Sequence, residues 1–424
     1  MTPKDATAGR GGIFYGWFVL VGVMLIIFVV GGSFVNSFGV LLPIVCEEFG
    51  WSRAIVSGAL SLGILCFGLP SPLYGIFVKR FGPRFTCILG NLLAGIGIAG
   101  VSLVQDVWHL YFFYVLIGVG GGFGGYIAAT TVINNWFIKK RSLALGIFAA
   151  CSGMGGLVYP PFTTALAGAV GWRSAWLILG SIIVLAAVLI GSVLLIRNRP
   201  EDRGLQPDGE PGNPLRDREM QDKNPKGEPS EPGITIGRVL KQRTAWLIGG
   251  LAAANAFTMG TMMTHQIAYL QDIGFQAITA ASTMSFMSVF GIIGSLLFGA
   301  LAMRVSVRYL ASAAFIVQII GLSVLLLTRE LTFIFVFAAC QGLSNGALQA
   351  ALPTFVGAYY ERGRYAQVIG VVFPFQVTSN AVSAAVAGMI FDATTSYTAA
   401  FAIAVAFSAM GVVFAFTARR PRSV

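Results

Sequence analysis

Charged side chains are scarce in this chain. Of its 424 residues, 11% are Asp, Glu, Lys or Arg and 56% are hydrophobic, whereas a soluble domain carries roughly a quarter charged residues. No soluble core could bury so much apolar surface, which excludes an ordinary soluble globular protein. Cysteine is also sparse: Cys46, Cys66, Cys87, Cys151 and Cys340 are scattered, with neither the paired spacing of a metal site nor a disulfide framework. A Gly-x4-Gly-Lys-Ser/Thr loop is missing, which removes the usual cradle for ATP phosphates. The glycine run from Gly118 to Gly125 lies within apolar sequence and reads as close helix packing. The apolar stretches hold no nucleophile, acid pair or metal cluster, so no enzyme, cofactor or metal is expected.

What is present is apolar length. Stretches near or above the ~20 residues that span hydrocarbon lie at about 14–44, 53–78, 85–105, 108–137, 142–169 and 172–196, and again at about 244–271, 276–303, 308–328, 331–360, 365–391 and 396–418. Pro70 and Pro72 interrupt the second, and Pro160 and Pro161 the fifth; buried helices tolerate such breaks. The first twelve residues are polar and no small-residue cleavage site follows, so the first stretch is expected to be a retained span.

The second six stretches repeat the first at an offset of about 224 residues. Glu48-Phe-Gly50-Trp51 returns as Asp272-Ile-Gly274-Phe275, and Gly75, Arg80 and Arg84 return as Gly299, Arg304 and Arg308. Trp136, Phe137 and Arg141 return as Tyr359, Tyr360 and Arg364, and Trp172 and Trp176 as Tyr397 and Phe401. A parallel repeat in a membrane chain implies two halves related by an axis along the membrane normal. The expected fold is thus an all-α membrane protein with 12 transmembrane helices in two six-helix halves, 1–196 and 244–424.

Positive charge is retained on the cytoplasmic side. With the N-terminus inside, all but Arg53, Arg173 and Arg329 of the 28 Lys and Arg residues fall inside, including Lys79, Lys139, Arg419 and Arg422, so both termini are expected to be cytoplasmic. The same asymmetry accounts for most of the net charge of +11, and no nucleic-acid partner is expected. Residues 197–243 are rich in proline and charge and read as a disordered cytoplasmic linker, with 234–243 a candidate amphipathic surface helix.

The segment from Gly75 through Lys79 and Arg80 to Arg84 resembles the inner loop between helices two and three of major facilitator superfamily transporters, and Gly299 to Arg308 resembles its second copy. Phe14-Tyr15-Gly16-Trp17, Glu48 to Arg53, Trp136-Phe-x3-Arg141, His265-x6-Asp272-x-Gly274 and Phe391-Asp392-x3-Ser396-Tyr397 are similar to segments of its monocarboxylate transporters and their oxalate/formate relatives. The resemblance implies a secondary-active transporter working by alternating access in a lipid bilayer, with a small monocarboxylate and a proton as its first substrate guess. Lys79 and Met303 stand where that family carries a gating aspartate, and Gly294-Ser295 where its carboxylate carriers place an arginine. An exporter or facilitator of a neutral or lipophilic compound is the alternative. A bacterial cytoplasmic membrane suits the short loops; the sequence carries no signal of oligomeric state.

His265 is the single ionisable side chain well inside a span, and intramembrane titratable groups are functional candidates. It either couples a proton, with Asp272 seven residues on as the outer relay, or is a neutral side chain bonded to a neighbouring helix. Substrate contact then falls to neutral groups. Asn36, Tyr126, Thr130, His265, Asn345, Gln349, Phe373 and Gln376 are the candidates, because the stripes Tyr126-Thr130-Asn134 and Gln341-Asn345-Gln349 sit on helices that surround the cavity in the resembled fold. Gly75, Arg80, Arg84, Gly299, Arg304 and Arg308 are the candidate gating residues. Such stripes serve equally as interhelical glue.

Overall fold

The computed structural model describes residues 14–209 and 236–421. Long helices follow one another as α1 (Gly16–Phe49), α2 (Ile55–Gly68 continued by Ser71–Phe81), α3 (Pro83–Val101), α4 (Val107–Trp136), α5 (Arg141–Val170) and α6 (Trp172–Leu195). After a short helix at Ile236–Leu240 come α7 (Arg243–Asp272), α8 (Ala277–Leu301), α9 (Val307–Leu327), α10 (Leu331–Tyr359), α11 (Tyr365–Thr394) and α12 (Thr398–Thr417). Among the described residues ten helices are long and apolar enough to cross a membrane, eleven if the bent pair of α2 is one span. At 30 residues α7 is long enough but is not among them, because Asn255, Thr258, Thr261, Thr264, His265 and Gln266 dilute its apolar character.

Local chemistry sets the ends. Asp106 accepts from the backbone N–H of Trp108 (2.9 Å) and His109 (3.2 Å) to start α4, satisfying donors the helix itself leaves free. Gly50 ends α1 at φ 66°, where a side chain would be strained. The two proline pairs behave differently. At Leu69-Pro70 the axis of α2 turns by 48°, as expected of a residue that clashes with the preceding turn. Pro160 and Pro161, also expected to interrupt their helix, lie within an unbroken α5 of 30 residues. The i→i+5 turns Gly32–Asn36 in α1 and Gly122–Tyr126 in α4 are each wider than an α-turn, and such turns often mark functional positions.

The first six helices pack chiefly on one another (α1 on α5 and α6, α3 on α4 and α6, α2 on α4), and so do the last six (α7 on α11 and α12, α10 on α8 and α9, α9 on α12). The two sets meet through α2 on α11, α5 on α8 and α10, and α4 on α11.

Residues 197–209 depart from the expected disordered linker. Asn198 accepts from the Arg84 N–H at 2.9 Å and, through its carbonyl, from the Asn135 amide at 3.0 Å. The Trp136 indole donates to Arg197 O at 2.9 Å, and the Asp208 carboxylate takes the N–H groups of Ile138, Lys139 and Lys140 at 2.7–3.1 Å. These bonds strap the segment across the α4–α5 loop. The stretch 210–235 and Arg422 lie outside the described residues.

Candidate substrate cavity

Backbone-close contacts join the two sets. Gly75 of α2 faces the Ala366 carbonyl of α11 so closely that a Cβ would overlap it, and Gly299 of α8 is seated on Ser142 O and Gly146 of α5. The Ser71 hydroxyl donates to Gly370 O at 2.7 Å. These contacts extend to mid-helix at Gly68–Val377 and Gly153–Ile292, whereas Gly168, near the far end of α5, has nothing within 4 Å. The interface is therefore a wedge, closed at the Gly75/Gly299 end.

The candidate gating arginines stay within their own set. Arg84 donates to Val193 O (2.8 Å) and Ser192 O (3.4 Å) of α6. Arg80 lies over the Phe81 ring, Arg308 bonds the neighbouring Tyr309 hydroxyl at 2.6 Å, and Arg304 is exposed. The crossing is made by two others. Arg141, at the start of α5, donates to Gly357 O near the end of α10, and to Phe137 O at 3.2 Å. Arg362 donates to Asn135 O at the end of α4 and pairs with Glu201 at 3.0 Å. In the sequence Arg141 is a repeat marker and part of the family-like Trp136-Phe-x3-Arg141 segment, not a candidate gating residue, and Arg362 and Glu201 carry no signal beyond their positions past helix ends.

Further along the wedge the Tyr126 ring stacks on Phe373 at 4.6 Å and 20°, joining α4 to α11, with Phe67 (5.7 Å from Phe373) and Phe148 (6.0 Å from Tyr126) at its sides. The Tyr126 hydroxyl is buried with no hydrogen-bond partner, which is costly unless a ligand supplies one. Gln376 of α11 donates to Gln349 of α10 at 3.2 Å, and the Gln349 amide reaches the Met259 sulfur of α7 at 3.2 Å. Asn345, one turn from Gln349, keeps an unpartnered amide oxygen. Met259 went unnoticed in the sequence because a methionine in apolar sequence carries no polar signal.

Other candidates are held elsewhere. Thr130 is fully buried and its hydroxyl returns to Tyr126 O at 2.8 Å within its own helix. Asn36 donates to Gly31 O at 3.4 Å and lies beside Gly155 and Gly156 of α5. Gln341, on the same stripe as Gln349, donates instead to Gln318 O of α9 at 3.1 Å and serves as interhelical glue. His265 is half-buried, 5.2 Å from the Tyr397 ring and next to Gly388, and Asp272 is exposed at the end of α7. His265 lies six positions after Met259, about 9 Å along the helix and well round from its face. The structure thus brings Tyr126, Phe373, Gln349 and Gln376 to the junction of the two sets and leaves His265 outside that group.

The family model of the Major Facilitator Superfamily matches residues 19–328 and 267–424. The chain belongs to this superfamily. Monocarboxylate transporter 13 of Rattus norvegicus is 25% identical over 410 residues, covering 94% of this chain and 87% of the relative. An uncharacterized superfamily transporter of Bacillus subtilis (strain 168) is 26% identical, covering 94% and 93%. Monocarboxylate transporter 12 of Mus musculus is 27% identical over 373 residues, 84% of this chain and 74% of the relative. The solved structure of the E. coli fucose:proton symporter superposes with a TM-score of 0.72 at 14% identity, covering 95% of this chain and 98% of that one. Membership makes the chain an integral, multi-pass membrane transporter of a small-molecule substrate, and not an enzyme.

Proposed function

We propose that this superfamily member carries a small monocarboxylate together with a proton by alternating access of two six-helix halves. The carrying observation is the group at the junction of α4, α7, α10 and α11: a stacked Tyr126–Phe373 pair with an unpartnered phenol, beside the Gln349–Gln376 amides. A carboxylate has acceptors for the phenol and amide donors, and the rings suit a short apolar body. On this reading α7 counts as a span, the closed end carries the basic loops and is cytoplasmic together with both termini, residues 197–243 link the halves, and the membrane is a bacterial inner membrane. The names of the rat and mouse relatives support the substrate class. The proton is taken up at His265, with Asp272 as its outer relay, and a carboxylate and a proton cross together without net charge.

Uptake of labelled lactate and pyruvate into liposomes, with and without an inward proton gradient, tests the reading against the His265→Ala and Tyr126→Ala variants. Gradient-driven uptake lost in both supports it; uptake that His265→Ala leaves pH-responsive removes His265 from coupling. The lack of any Lys, Arg, Asp or Glu among the Tyr126 and Gln349 groups favours a second reading, an exporter or facilitator of a neutral or lipophilic compound. Folded protein that moves neither acid but does move a neutral solute would establish it.

A further inference from the structure

At the end of the bundle opposite Gly75 and Gly299, the first set of helices is clipped by one guanidinium. Arg173 donates to Ser102 O (2.9 Å) and Val104 O (2.8 Å), just past α3, and to the Glu48 carboxylate (2.8 Å) at the end of α1. The same carboxylate accepts from the Trp172 indole, and the guanidinium lies 4.4 Å over the Trp172 ring. One cation therefore holds α1, α3 and α6 together.

The repeat carries this seat into the second set without its occupant. At offsets of 224 and 225, Glu48, Phe49, Ser102, Val104 and Trp172 become Asp272, Ile273, Leu326, Thr328 and Tyr397, but Arg173 becomes Thr398. These residues all line a pocket of about 280 Å³, with Tyr269, Arg329 and Ser396 among the rest of its wall. The Asp272 carboxylate makes no hydrogen bond or ion pair among the described residues, whereas its counterpart Glu48 makes both. Thr395, also in the wall, is held at φ 52°, a backbone conformation that non-glycine residues adopt at an energetic cost.

We propose that this pocket binds a small solute bearing a guanidinium or primary ammonium group. The cation takes the place that Arg173 fills in the other set, bonded to Asp272 and to backbone carbonyls after α9, and so clips α7, α9 and α12. The volume suits a molecule of a few heavy atoms, below the usual range for drug-sized ligands. Arg329 in the wall is a like charge and opposes the ligand.

The test is thermal unfolding of the detergent-purified full chain with methylguanidinium chloride, against tetramethylammonium chloride, which matches the charge but has no N–H donor. A saturable rise in Tm with methylguanidinium alone is expected. Asp272→Asn should weaken the response about tenfold or more, and Arg329→Gln should shift it to lower concentration. Thr398→Arg, which restores the arginine of the first set, should raise Tm without ligand and abolish the response. Equal responses to both cations, none in either the wild type or Arg329→Gln, or one that Asp272→Asn leaves unchanged would overturn the proposal.

Discussion

Replacing Arg362 with alanine should loosen the Gly75/Gly299 end without unfolding the chain. Arg362 makes two interactions there: its guanidinium donates to Asn135 O, and it pairs with Glu201 at 3.0 Å. A hydrogen bond from a charged donor contributes about 1.5–3 kcal/mol. The ion pair adds little, because its side chains are 27% and 45% exposed and solvent screens such pairs to roughly 0–1 kcal/mol. The loss is then about 2 kcal/mol from the closed arrangement, a shift of ~30-fold in its equilibrium with an open one. A reporter is available in Ser71, which is fully buried where α2 meets α11. With the five native cysteines replaced and Ser71→Cys introduced, alkylation by a water-soluble maleimide should accelerate by about that factor in Arg362→Ala. An unchanged rate in protein of unchanged Tm would refute the assignment of Arg362 to closure.

Two further outcomes follow from the same contacts. Gly299→Val places a branched side chain against Ser142 O and Gly146, so it should hold the α5–α8 contact apart, raise the Ser71→Cys labelling rate at least as far as Arg362→Ala, and abolish net uptake. Tyr126→Phe keeps the stack on Phe373 but deletes a buried, unpartnered hydroxyl. Relieving that group should stabilise the apoprotein by about 1 kcal/mol, while KM for the carried solute rises about tenfold; a fall in stability, read by thermal melts, would show that the hydroxyl is satisfied within the protein.

The all-helical, multi-span character was legible because it rests on a coarse quantity, apolar length, and the glycines of the repeat mark places where backbones touch. Gly75 and Gly299 were found this way, since only a residue without a side chain fits against Ala366 and Gly146. The site was less legible, because helical spacing gives a face but not what the face meets. Gln341 and Gln349 lie on one stripe, yet one bonds α9 and the other turns toward α7 and α11. His265 stood out as a titratable group in a span, but which neighbours it meets depends on the rotation of α7, and Tyr397 and Gly388 are among them. Arg141 was assigned to a helix end, as its position in sequence requires, but its long side chain carries the charge inward to α10.

At the closed end the two sets are bridged without the acid of the resembled loop, where Lys79 and Met303 stand. Each crossing arginine donates to a carbonyl at the C-terminal end of a helix in the opposite set: Arg141 to Gly357 of α10, Arg362 to Asn135 of α4. Helix C-termini carry roughly half a negative charge on carbonyls that lack intrahelical partners, so the backbone itself supplies the anionic face. Asn135 and Gly357 are near-counterparts in the repeat, and the exchange is therefore reciprocal. Because these partners are carbonyls that cannot be protonated, neither bond depends on a titrating acceptor, and the acid that does take part, Glu201 beside Arg362, is 45% exposed and screened by solvent.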